Sequence, residues 1–157
     1  MLEGGCACGA VRYRLTSAPM IVHCCHCRDC QRQTGGGFAV NALIETDRIE
    51  LLGEAPVAVA MPTDSGRPHL IERCPKCQVA LWSDYGGRGW VKFVRATTLD
   101  RPDACPPDVH IFTRSKLSWV GLPADVPAYE VFYDKLSDVW SPAALARREA
   151  ASAAAKG

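Results

Sequence analysis

The sequence predicts a mainly β domain, and three observations carry that expectation. Short runs rich in Val, Ile, Leu and aromatic residues recur along the chain, and Gly, Pro and Ser break them at close intervals. Some alternate cleanly, as where Val11, Tyr13 and Leu15 share one face and Arg12 and Arg14 the other. Seven of the nine cysteines fall into three tight groups, Cys6/Cys8, Cys25/Cys27/Cys30 and Cys74/Cys77, of the kind that staples short strands together.

In chain order, Gly4–Gly9 reads as a tight turn carrying thiols at alternate positions, and a strand follows over 10–15. Ser17-Ala18-Pro19 stops it, and Met20–Val22 leads into the central run His23-Cys24-Cys25-His26-Cys27-Arg28-Asp29-Cys30. Asp29–Thr34 suits one or two turns of helix, ended by Gly35-Gly36-Gly37. Strands are expected over 38–44, 49–52, 57–61 and 70–73, with a polar loop over 62–68. Runs 79–85 and 90–96 read as a hairpin across Gly86–Gly89. Residues 99–107 read as a loop, 109–112 as a strand, 115–119 as a turn and 129–132 as a last strand. Ser141 is a candidate N-cap and Pro142 a first helical residue, so the Ala-rich tail is expected to be helical to about residue 154. The expected organisation is one zinc-binding domain over 1–140, with 141–157 as a C-terminal helix or tail.

The chain has 157 residues, long enough for a substantial core, with 48% hydrophobic and 22% charged residues. A formal net charge of +1 gives no reason to expect nucleic acid or an anionic membrane as partner. The first residues show no signal-peptide pattern, and no apolar run is long enough to span a bilayer. A cytoplasmic, thiol-reducing setting is therefore expected, where nine cysteines argue for metal rather than disulfides. The sequence is silent on oligomeric state.

Tetrahedral zinc takes four thiolates or imidazoles, commonly as two short-spaced pairs. Cys6/Cys8 and Cys74/Cys77 make such a pair of pairs, and an ion there would pin the N-terminal strand to the middle of the chain. The cluster Cys25/Cys27/Cys30 has three thiols and no second pair. Three protein ligands with an open position is the pattern of catalytic zinc, and an open position could hold a substrate thiol as a thiolate nucleophile. Two alternatives stand beside it. Cys24, His23, His26 or Cys105 could close the site and make it structural, or the cluster could be a metal-free redox pair with a spare thiol.

The motifs Gly4-Gly5-Cys6-x-Cys8-Gly9-x-Val11-Arg12-Tyr13, Cys25-His26-Cys27-x-x-Cys30, Cys74-x-x-Cys77 and His110-Ile111-Phe112 with Lys116 and Trp119 resemble the glutathione-dependent formaldehyde-activating enzyme family, which includes the centromere protein V type of domain. The likeness runs through most of 3–133. It implies an Mss-four-like fold of antiparallel strands, a structural zinc at Cys6, Cys8, Cys74 and Cys77, and a catalytic zinc at Cys25, Cys27 and Cys30. The activity it implies is a carbon–sulfur lyase reaction that joins glutathione, or a similar thiol, to formaldehyde or another small aldehyde. A non-catalytic zinc module for protein interaction is the alternative. One departure stands out: Gln78 follows Cys77 where the family usually has glycine.

Other residues are weaker candidates. His26 is expected to be exposed or to touch a ligand from outside, and His110 to be a satisfied core or near-surface histidine. Arg28, Arg32, Lys92 and Lys116 could meet the carboxylates of glutathione, or simply face solvent. Trp82, Trp90 and Trp119 are expected in the core.

Overall fold

Val11, Tyr13 and Leu15 have no exposed surface, which is why the alternating run becomes β2 (Arg12–Leu15) with its apolar side turned inward. In the computed structural model, which describes residues 1–157, β2 lies between β1 (Leu2–Gly5) and β5 (Ile49–Leu51) in a three-stranded antiparallel sheet. The start of the chain is thus a strand as well as a turn. A Cβ at Gly4 would lie 2.6 Å from the Tyr13 hydroxyl, so the strand's glycine leaves room for the buried ring opposite it. Arg12 and Arg14 line the other side and pair with Asp100, Glu3 and Glu50.

The larger sheet has seven strands: β3 (Ile21–Cys25), β4 (Ala39–Glu45), β6 (Val57–Ala60), β7 (His69–Arg73), β8 (Ala80–Tyr85), β9 (Val91–Arg95) and β10 (Val109–Ile111). Their order is β10-β3-β4-β9-β8-β7-β6. All neighbours are antiparallel except β10, which runs parallel to β3. The last two strands before β10 form the expected hairpin, with Gly86, Gly87 and Gly89 at positive φ in its loop. Thr46–Arg48 forms a 3-10 turn between β4 and β5.

Side chains alternate across a strand, and cross-strand partners share a face. Val22, Ala42, Val94 and Trp82 therefore point to one face, where they pack with Tyr13 and Leu15 of the small sheet. Ile21, Cys25, Leu43, Val109 and Ile111 point to the other and pack with Tyr133, Trp140 and Ala144 of the C-terminal segment. That segment ends in α2 (Pro142–Ala154), whose Ser141 Oγ accepts from the Ala144 N–H as the sequence suggested. Arg147 fixes the helix to the sheet, donating from Nε at 2.8 Å and Nη2 at 2.6 Å to the buried Glu45 carboxylate.

Two expectations need correction. Residues 129–132 do not form a strand. Tyr129 and Val131 exchange backbone hydrogen bonds with His110, Phe112 and Thr113, but only an isolated bridge, His110 to Ala128, results. Trp119 is not core: it is 73% exposed, while Trp82 is buried and Trp90 half-buried.

Cys74-Pro75-Lys76-Cys77 turns the chain from β7 to β8, with the Gln78 N–H donating to the Cys74 carbonyl and Gln78 itself at φ +63°. This left-handed conformation strains any residue with a Cβ and explains why glycine suits the position. Gln78→Gly should raise stability by about 0.5–1 kcal/mol, because relief of that strain exceeds the extra chain entropy of glycine. A lower midpoint in chemical denaturation would contradict this.

Burial alone would raise the Glu45 pKa, but its hydrogen bonds to Arg147 and the charge of Arg48 outweigh that and hold the carboxyl below its usual value. A lowered native pKa gives stability that is fully present above the unfolded carboxyl's pKa of about 4.3 and disappears as pH falls through the native value. Glu45→Gln should cost about 2 kcal/mol at neutral pH and flatten the loss of stability below about pH 4.3. Equal acid sensitivity of both proteins would sink this assignment.

Candidate functional site

β3 carries the chemistry because it sits between β10 and β4 and shows thiols to both faces. Cys25 ends the strand and Cys27 caps the next element, α1 (Arg28–Thr34), its Sγ accepting from the Cys30 N–H at 3.4 Å. A sulfur cap of this kind is supported by the partial positive charge at a helix start. Gly35 closes α1 in the left-handed conformation, donating to the Gln31 carbonyl. The result is that the ligand atoms of Cys25, Cys27 and Cys30 lie within 4.8 Å of one another. Cys25 is buried, and Cys27 and Cys30 are half-buried.

Three thiols this close share charge unevenly. Hydrogen bonds from Cys25 and Cys30 pull the Cys27 thiol down to a pKa of about 2, while those same contacts push Cys25 strongly up. Their mutual contacts favour charge on Cys27 and disfavour it on Cys25. An ion that accepts three thiolates would remove the conflict, so the donor set suits a soft or borderline cation such as zinc.

A second group lies on the opposite face, at the small sheet. Cys6 and Cys8 come from the turn after β1, and Cys74 and Cys77 from the turn after β7. Their sulfurs also lie within 4.8 Å of one another, with Cys6 to Cys8 at 3.5 Å and Cys8 to Cys74 at 3.7 Å. Tetrahedral zinc with bonds of about 2.3 Å would set neighbouring sulfurs about 3.8 Å apart. The backbone N–H groups of Val11, Lys76 and Cys77 point at the Cys6 and Cys74 sulfurs, as they do around a thiolate. Four donors from two distant turns leave no open position.

The remaining candidates separate. His26 is fully buried rather than exposed, and its Nε2 lies 3.0 Å from His110 Nδ1 and 3.6 Å from Cys24 Sγ. These three residues also come within 4.8 Å of one another. Metal-held imidazoles donate outward through their second nitrogen, whereas His26 Nδ1 and His110 Nε2 have no partner. The arrangement is that of two rings bonded to each other beneath β3. Burial holds His26 down to about 4 and drives Cys24 up to about 12, which keeps both neutral. His23 sits on the other face and bonds to the Tyr133 hydroxyl at 2.9 Å. Cys105 is buried in the small-sheet core with Cys6 and Cys74 but converges with none of the three groups.

The basic candidates are mostly engaged. Arg28 bonds Gln31, Lys92 bonds Glu72, and Lys116 bonds the carbonyls of Leu117 and Val120. Arg32 remains largely exposed beside Asp29. Trp119 lies over Gly37, where a Cβ would meet its ring at 3.2 Å, so the third glycine of the run serves close approach.

Sequence reading overlooked Gln33, Asn41, His69 and Arg95. Gln33 Nε2 lies 3.3 Å from His69 Nδ1, and Arg95 donates to Gln33 Oε1 at 2.9 Å and to Asn41 Oδ1. Alternation along β9 could have placed Arg95 on the Cys25 face, but nothing in the sequence marked that arginine as buried.

The profile of the family described as "Glutathione-dependent formaldehyde-activating enzyme" matches residues 1–115. A relative from Halomonas elongata, named "Putative glutathione-dependent formaldehyde-activating enzyme", is 33% identical over 127 residues, covering 76% of this chain and 80% of that one. A crystal structure of a Rhodobacter sphaeroides protein aligns with 17% identity and a TM-score of 0.48, over 81% of this chain and 99% of that one. With both cysteine motifs inside the matched region, the chain belongs to the glutathione-dependent formaldehyde-activating enzyme family.

Proposed function

We propose that the protein is a zinc-dependent carbon–sulfur lyase that joins glutathione, or a closely similar thiol, to formaldehyde or another small aldehyde. The observation that carries this reading is the difference between the two thiol groups. Cys6, Cys8, Cys74 and Cys77 make a closed set, whereas Cys25, Cys27 and Cys30 converge with no fourth donor. We assign the first set to a structural zinc and the second to a catalytic one.

Zinc held by Cys25, Cys27 and Cys30 would lower the pKa of an incoming thiol and keep it as the thiolate. The chain supplies the rest. β3 and the start of α1 fix the three sulfurs on rigid elements, with Cys27 held by the Cys30 N–H. Gln31, buried behind them, donates to the His26 and Ser115 carbonyls and ties α1 to β10's following loop. The thiolate then adds to the aldehyde carbon, the carbonyl oxygen takes a proton, and a hemithioacetal results. This addition proceeds slowly unaided, so placing the thiolate beside the aldehyde is the catalytic task. Membership of the family supports glutathione and formaldehyde as the pair.

Cys27→Ala should lose one of two bound zinc ions and stay folded, because the closed set on the other face is untouched. Activity with glutathione and formaldehyde should fall at least about a hundredfold, measured as formation of the adduct over the uncatalysed rate. Global unfolding of this variant would make the second ion structural. An unchanged rate would favour a protein-interaction module instead.

A further inference from the structure

The guanidinium of Arg95 has no carboxylate partner. The side chain is 5% exposed, and none of the ion pairs in the protein includes it. Its hydrogen bonds go to the neutral amides of Asn41 and Gln33, and its Nε has no partner at all. A buried cation held only by neutral groups is costly unless a negative charge lies close by.

Topology shows which thiols lie near it. His23, Asn41 and Arg95 are register partners across β3, β4 and β9, so they share a face, and Cys25 lies two residues beyond His23 on that same face. Gln33, the second group that holds the guanidinium, is three residues after Cys30 on α1 and so lies on the same side of the helix. Arg95 is thus braced from two directions next to Cys25 and Cys30. Burial is the larger effect and lowers its pKa, with the like charge of Arg73 acting in the same direction, while Cys30, Cys25 and Cys27 act to raise it. Arg73 and His69 are the other ionisable groups that interact with it.

We propose that Arg95 is a positioning residue of the three-cysteine centre: its buried positive charge favours an anionic thiolate as the fourth ligand over a neutral one. The inference rests on the function proposed above. Three thiolates and a divalent ion carry one net negative charge, and a thiolate in the open position makes that two. Such a centre would repel its own substrate. A fixed guanidinium offsets one charge without competing for the metal, since arginine stays protonated and offers no lone pair. Asn41 and Gln33 are suited to hold it because a carboxylate there would neutralise it.

The experiment uses full-length protein loaded with cobalt in place of zinc, whose visible spectrum reports the fourth ligand. Wild type, Arg95→Met and Arg95→Lys are each titrated with glutathione and, separately, with imidazole. In Arg95→Met the glutathione concentration for half-saturation should rise about tenfold, the size expected for losing one nearby charge at partly screened distance. Imidazole, which is neutral, should bind wild type and Arg95→Met alike. Arg95→Lys should recover most of the glutathione affinity.

Identical glutathione curves for wild type and Arg95→Met would overturn the role of Arg95 while leaving the proposed function intact. Equal losses for glutathione and imidazole, or failure of both variants to hold a second cobalt, would make Arg95 a packing residue and overturn the proposal. A wild-type spectrum indifferent to glutathione would remove the open site itself, and this inference with it.

Discussion

The whole arrangement depends on one physical constraint, the alternation of side chains along β3. A strand in the interior of a sheet must send successive residues to opposite faces. In β3 this sends Val22 and Cys24 toward the small sheet and Ile21, His23 and Cys25 toward the C-terminal segment. The sheet therefore separates two thiol groups in space. One lies where two distant turns meet against the small sheet, and the other where β3 runs into α1.

On the proposed reading, that separation gives the two groups different tasks. The turns after β1 and β7 are each closed by their own backbone hydrogen bonds, Gly9 to Cys6 and Gln78 to Cys74, and four sulfurs drawn to one ion would join the two turns to each other. Under the proposed assignment, metal binding there would be part of folding. The group at β3 is supported by β4 along the whole strand, by β10 along His23–Cys25, and by a helix whose first turn is capped by one of its sulfurs. Its scaffold is built from regular elements. A centre on a prebuilt scaffold can leave one position free, because no fold has to be closed with it.

Much of this was legible in the residues. The two short-spaced thiol pairs, the three-cysteine cluster, the alternation of Val11, Tyr13 and Leu15, and the Ser141-Pro142 helix start each follow a local rule, and each appears in the structure where that rule puts it. What was not legible depended on distant partners. β1 reads as a turn because its glycines carry no strand propensity; it is a strand because Tyr13 occupies the space that a side chain at Gly4 would need. Tyr129–Phe132 has strand-like residues but runs beside β10 with too few ladder bonds to become one. His26 looked exposed because it sits between two polar-looking cysteines, yet the strand carries it to the interior and against His110. Arg95 is the clearest case. Its sequence neighbours are ordinary; alternation along β9 gives its face, and the register of β3, β4 and β9 brings that face to the thiols.

The central claim is that two metal centres of different kind lie on opposite faces of one sheet. The most direct test is metal content together with zinc X-ray absorption, on protein purified without chelator. The account predicts two zinc ions per chain, both with sulfur ligands from the protein, and a shell that gains sulfur when glutathione is added. One zinc per chain, with Cys25, Cys27 and Cys30 freely reactive even after zinc is supplied, would contradict it.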